Sequence, residues 1–271
     1  MIKKIKRVIK TLKNRKDSPL HIEFNLTDFC NLNCKGCTHY SPLAPAEYND
    51  FDILESTMRH IGQIRNADYI KEVFLIGGET LLYPKLVEAM DSARKYFPDA
   101  KISVFTNGLL LPKMPEEFWE SCRRDKIVIA ITRYPVKFDY DQAEKLCREN
   151  NVEVEVFGDR SLEGSFFRFP LDPEKRQNAR ISHLRCISYG CITIEIGKIF
   201  PCSQAACVGH LNRRIDTEFK WEKRDYIPVE ELHDAKQLLQ LRDTPVPFCS
   251  YCRKIETVKY ETSRRSPEEW I

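Results

Sequence analysis

No run of apolar residues among these 271 approaches the length of a membrane span, and no signal peptide precedes the first strand pattern. Internal repeats and low-complexity tracts are missing as well. A soluble, globular protein of the reducing cytoplasm is the expectation, and nucleic acid is not an expected partner. Charge is unevenly spread along the chain. The first sixteen residues carry eight Lys or Arg and no Asp or Glu, so the net charge of +3 conceals a remainder of 35 basic and 40 acidic residues. Within that segment Ile2, Ile5, Ile9 and Leu12 recur at helical spacing. Residues 1–19 therefore read as a basic tail or amphipathic helix. Residues 1–16 could touch a membrane surface or an anionic partner weakly, or pack on the body with the lysines in water. Cysteine is what the chain has in plenty. Eleven of them in an unsecreted protein argue for metal chemistry rather than disulfides.

From Ile22 onward, short apolar or alternating runs alternate with helical patterns. Strands are expected over Ile22 to Thr27, Val73 to Ile76, Ile102 to Phe105, Ile127 to Ile131 and Val152 to Phe157. Helices fall between them near Ile53 to Arg65, Lys85 to Tyr96, Pro115 to Arg123 and Tyr140 to Glu149. This order implies βαβ units, hence an α/β fold in which right-handed crossovers curl a parallel sheet toward a partial (β/α)6 barrel over residues 20–185. Active sites of such folds lie at the carboxyl ends of the strands. Gly158 to Arg185 is polar, holds two glycines and two prolines, and reads as a loop with little regular structure. Beyond it, residues 186–271 form a small second unit: a hairpin of Ile192 to Ile196 and Ile199 to Phe200 about Gly197–Lys198, then a helix from Val229 to Leu241.

Cys30, Cys34 and Cys37 follow the first strand at a Cys-x3-Cys-x2-Cys spacing. Three thiolates hold three irons of a cubane and leave the fourth open, as a catalytic site requires. A zinc knuckle completed by His39 is the alternative. The spacing resembles the signature of the radical S-adenosylmethionine (SAM) superfamily, and the resemblance runs from Leu20 to about Lys254. It implies a [4Fe–4S] cluster on these cysteines, with SAM on the open iron. Gly77–Gly78–Glu79 after the second strand resembles the motif that contacts the amino group of SAM. Thr106–Asn107 and Thr132–Arg133 resemble the third and fourth strand ends, which touch its ribose and carboxylate. Two features common in the family are missing: an aromatic residue before the third cysteine, where Gly36 stands, and a proline after the acid, where Thr80 stands.

Cys186, Cys202, Cys249 and Cys252, around the Gly197 hairpin, resemble the twitch or SPASM-like extension that holds an auxiliary [4Fe–4S] cluster. Cys191 could replace or join Cys186. A structural zinc site from the same thiolates is the alternative. Cys207 has no assigned role, and Cys122 and Cys147 read as packing residues on helices. Glu23, Asn25 and Thr27 share one face of the first strand, directed either to the barrel interior or to solvent. Arg160 and Arg168 could hold an anionic substrate.

The resemblance implies an enzyme that reductively cleaves SAM, with ferredoxin or flavodoxin as electron donor, and abstracts a substrate hydrogen atom. Oxidation of a small molecule such as a sugar or cyclitol is the expected outcome. Crosslinking or epimerisation of a ribosomal peptide is the alternative, and a non-catalytic iron–sulfur or zinc module is the reading from another class.

Overall fold

Runs rich in Ile, Val and Phe become five parallel strands: β1 (Leu20–Asn25), β2 (Ile70–Ile76), β3 (Lys101–Thr106), β4 (Ile127–Thr132) and β5 (Val154–Phe157). In this computed structural model, residues 15, 18–157, 165–195, 197–214 and 218–271 are described. Helices α1 (Phe51–Gly62), α2 (Leu86–Tyr96), α3 (Glu116–Arg124) and α4 (Tyr140–Glu149) alternate with the strands. The start of α1 is set by Asp50, whose side chain accepts the backbone N–H groups of Asp52 and Ile53. Leu54, Met58 and Ile61 then bury one face of that helix. Asp139 caps α4 in the same way through Gln142.

A sixth parallel strand comes from the C-terminal part of the chain. After β6 (Ser165–Arg168) and α5 (Ala179–Arg185), β7 (Ile192–Glu195) pairs with β1, Ile22 opposite Ile192. The hairpin partner β8 (Lys198–Phe200) follows, and β9 (Ile227–Pro228) completes an eight-stranded sheet of order β5-β4-β3-β2-β1-β7-β8-β9. The expected hairpin thus extends the central sheet. β1 has a neighbour on each side, so the solvent reading of its polar face fails: Glu23, Asn25 and Thr27 are all buried.

Two expectations need correction. The stretch read as a loop holds β6, which pairs antiparallel with β10 (Glu256–Lys259), and α5, capped by the Asn178 side chain. The β6 partner lies some ninety residues away, so no local pattern announces it. The single helix expected from Val229 is a 3-10 turn (Val229–Glu231) followed by α8 (Ala235–Asp243), with α6 (Ser203–Cys207) and α7 (Gly209–Asn212) earlier in the chain. Asp234 divides the run because it forms a capping box with Gln237 and restarts the helix. The basic segment 1–16 lies outside the described residues except Arg15, whose guanidinium donates to the His183 and Cys186 carbonyls. Among the described residues, no helix is long and apolar enough to cross a membrane.

Candidate active site

The cysteine loop leaves β1 and crosses the end of β2 so closely that only glycine fits beneath it. A Cβ on Gly77 would lie 2.1 Å from the Thr27 carbonyl oxygen, and one on Gly78 would lie 2.2 Å from that of Phe29. The contact is hydrogen-bonded, with the Gly78 N–H donating to Thr27 and the Glu79 N–H donating to Phe29 at 2.9 Å. The two motifs, forty residues apart in sequence, are one structural unit.

Glu79 is fully buried, and its side chain turns into the protein. One carboxylate oxygen accepts from Thr106 Oγ1 at 2.6 Å and from the Leu81 N–H at 3.0 Å, while the other accepts from the Asn107 N–H at 2.9 Å. Burial lifts its pKa, against the pull of these three donors. Through these bonds Glu79, the acid expected at the ligand, fixes the turn after β3. From that turn Asn107 Nδ2 donates to Asn31 Oδ1 at 2.6 Å, tying it to the cysteine loop.

Cys30, Cys34 and Cys37 line one cavity of about 170 Å³ at the carboxyl ends of the strands. Gly77, Gly78, Thr106, Asn107 and Thr132 line it too, as does His39. The apolar walls are Phe105, Tyr134 and Phe166, none of which the sequence singled out. Burial pushes the Cys34 thiol up to about 12 and the Cys30 thiol up further, with neighbouring cysteines adding to the effect. For Cys37 burial acts the same way but is outweighed by the hydrogen bond and charge of His39, so its thiol falls while the imidazole rises. Three sulfurs converging on one cleft, Cys34 buried and Cys30 and Cys37 half-buried, suit a polynuclear metal group, whose positive charge offsets that of the thiolates.

Cys186, Cys202, Cys249 and Cys252 line a second cavity, of about 50 Å³. Burial, followed by the charges of neighbouring cysteines, raises the Cys202, Cys249 and Cys252 thiols, Cys249 to about 11. Cys191 does not line this cavity. Its sulfur lies within 4.8 Å of donor atoms of His21 and Glu23. Of the two cysteines left open between them, geometry joins Cys186 to the other three.

Several residues lie elsewhere. Arg133 turns to α4 and pairs with Asp141 at 2.6 Å and with Glu144. Arg168 donates to the Ile271 carbonyl at 2.7 Å and pairs with Glu256 at 3.5 Å, so it holds the C-terminal segment. Arg160 is outside the described residues. Cys122 and Cys147 are buried on α3 and α4. Cys207 belongs to a buried network. Its thiol donates to Asp28 Oδ1 at 3.4 Å, Asp28 Oδ2 pairs with His210 at 2.5 Å, and Asn25 Nδ2 donates to Asp28 at 2.7 Å and to Glu195 at 2.5 Å.

Residues 24–153 match the model of the radical SAM superfamily. A GTP 3′,8-cyclase of Clostridium perfringens is 28% identical over 152 residues, 50% of this chain and 45% of that protein. The antilisterial bacteriocin subtilosin biosynthesis protein AlbA of Bacillus subtilis is 28% identical over 125 residues, 42% of this chain and 24% of that protein. The chain thus covers less than half the length of these curated relatives. Among solved structures, BtrN in complex with AdoMet and 2-DOIA has a similar fold over 88% of this chain and 94% of that one, with a TM-score of 0.54 at 15% identity. Just under half of the chain thus resembles the radical SAM superfamily, the matched cyclase is an enzyme, and the reaction of this protein is left open.

Proposed function

We propose that this protein is a radical SAM enzyme that oxidises a small molecule such as a sugar or cyclitol, with a SAM-binding [4Fe–4S] cluster on Cys30, Cys34 and Cys37 and an auxiliary one on Cys186, Cys202, Cys249 and Cys252. The observation that carries the first half is the single cavity shared by three thiols, two glycines and the polar ends of β3 and β4. When bound, the cluster and SAM together supply a 5′-deoxyadenosyl radical able to take a hydrogen atom from an unactivated carbon. The chain's part is positional. Gly77 and Gly78 leave backbone open to the amino end of SAM, Asn107 and Thr132 offer hydrogen bonds, and Phe105, Tyr134 and Phe166 give flat apolar surface to a purine. His39 steadies Cys37 as thiolate. The convergence of four cysteines on one second cavity supports the auxiliary centre. A centre closed by four thiolates has no open iron for substrate, so it serves electron transfer or the fold. Ferredoxin or flavodoxin is the proposed electron donor.

Peptide modification is the second reading, favoured by the similarity to AlbA over 125 residues. The deciding assay reduces the anaerobic, reconstituted protein with SAM and measures 5′-deoxyadenosine. Release that vanishes in a Cys30, Cys34, Cys37 to Ala variant supports the enzyme. Absence of release from the wild type, or zinc in place of iron, overturns it. Substrate class is then read by offering aminocyclitols and candidate peptides and following which one gains or loses hydrogen.

A further inference from the structure

We infer that residues 256–271 are a strap that positions the cysteine loop, and that the Tyr260 hydroxyl donates to the Cys34 sulfur and so sets the reduction potential of the centre Cys34 helps to hold. The second half rests on the proposed cluster at Cys30, Cys34 and Cys37. The first rests on contacts of the protein alone.

The loop has little hydrogen bonding of its own and borrows it from the strap. Cys34 forms an antiparallel bridge with Thr262. The Lys35 N–H donates to the Glu261 carbonyl at 3.0 Å, and the Ser263 N–H donates to the Asn33 carbonyl at 2.8 Å. Side chains repeat the pattern: Asn33 Nδ2 donates to the Ser263 carbonyl at 3.0 Å, and Lys35 pairs with Glu261 at 2.6 Å. Further along, the indole N–H of Trp270, a buried side chain, donates to the Cys37 carbonyl at 2.8 Å. Gly36 has φ +74 and faces this segment, where a Cβ would meet Arg168 and the Glu269 carbonyl at 3.5 Å. The strap is itself anchored, by the β6–β10 ladder and by Arg168 on the Ile271 carbonyl.

Tyr260 sits where strap and cavity meet. Its hydroxyl is 3.5 Å from Cys34 Sγ, and its ring packs 6.0 Å from Tyr134 and 6.1 Å from Phe166, two walls of the site. A thiolate ligand can only accept, so the hydroxyl donates. Such a bond favours the more negative, reduced state of a cluster and raises its potential.

Two measurements on the whole 271-residue chain test this. In Tyr260→Phe the iron content should stay at the wild-type value, while the midpoint potential of the N-terminal centre, followed by EPR redox titration, becomes more negative and that of the second centre holds. An unchanged potential overturns the tuning role. In the metal-free protein, Ser263→Pro removes the N–H that donates to Asn33. Iodoacetamide should then label Cys34 roughly tenfold faster, on the scale of one lost hydrogen bond, while the buried Cys122 and Cys147 stay as protected as in wild type. An unchanged Cys34 rate overturns the strap. Should wild-type protein hold no iron on the three cysteines, the cluster reading and the potential role fall together, and the labelling still decides the strap.

Discussion

Glu79 accepts the Thr106 hydroxyl at 2.6 Å, so an acid at the end of β2 sets the turn that follows β3. Glu79→Gln keeps the shape but turns an NH2 group toward one of the three donors. The unpaired Asn107 N–H or Thr106 hydroxyl should cost about 1–3 kcal/mol. Thermal unfolding of the ligand-free protein measures this, and an unchanged midpoint would show that Glu79 does not hold the turn. SAM binding should weaken about tenfold through the displaced Asn107, a loss of about 1.4 kcal/mol readable by equilibrium dialysis.

Gly78→Ala places a methyl group 2.2 Å from the Phe29 carbonyl oxygen, which is backbone and cannot swing away. The cysteine loop must lift off β2, at a cost of about 3 kcal/mol. Iron incorporation should fall along with the unfolding midpoint. Wild-type iron content in Gly78→Ala would mean that the loop holds its cluster without this crossing.

Iron analysis separates the two cysteine sets. Reconstituted wild type should bind about eight irons as two [4Fe–4S] centres, and replacing either set by Ala should leave about four. Cys186→Ser should lower the count, whereas Cys191→Ser should leave it unchanged, because Cys191 lies with His21 and Glu23. The opposite order would make Cys191 the ligand.

Glu195 provides a pH dependence. Burial, then the charge of Asp28, raises its pKa to about 8. In the unfolded chain the same group loses its proton near 4.5. The folded state therefore binds more protons between these values, and stability from this group falls as pH rises from about 4.5 to 8. Glu195→Gln removes that loss, so its unfolding midpoint relative to wild type should rise steadily from pH 5 to pH 8. A constant difference across that range would show that Glu195 is ionised in the native state.

The sequence by itself determined the five βα strands, the order of the three motifs and the division of the cysteines into two sets, with Cys186 and Cys191 left open in the second. Each rests on local rules: strand and helix periods, caps such as Asp50 and Asp139, and short spacings that one loop can span. Tyr140–Glu149 is a helix at both of its expected limits. Pairing across distance belonged to the tertiary structure. Only folding sets β7 beside β1, joins β6 to β10 and lays residues 261–263 along the cysteine loop, because a strand edge accepts any partner that brings matching N–H and C=O groups. The direction of a charged side chain was decided there too. Glu79 and Arg133 stand in the expected motifs; the fully buried Glu79 carboxylate meets three donors that satisfy it, whereas Arg133 turns outward to two carboxylates of α4, one of them largely exposed.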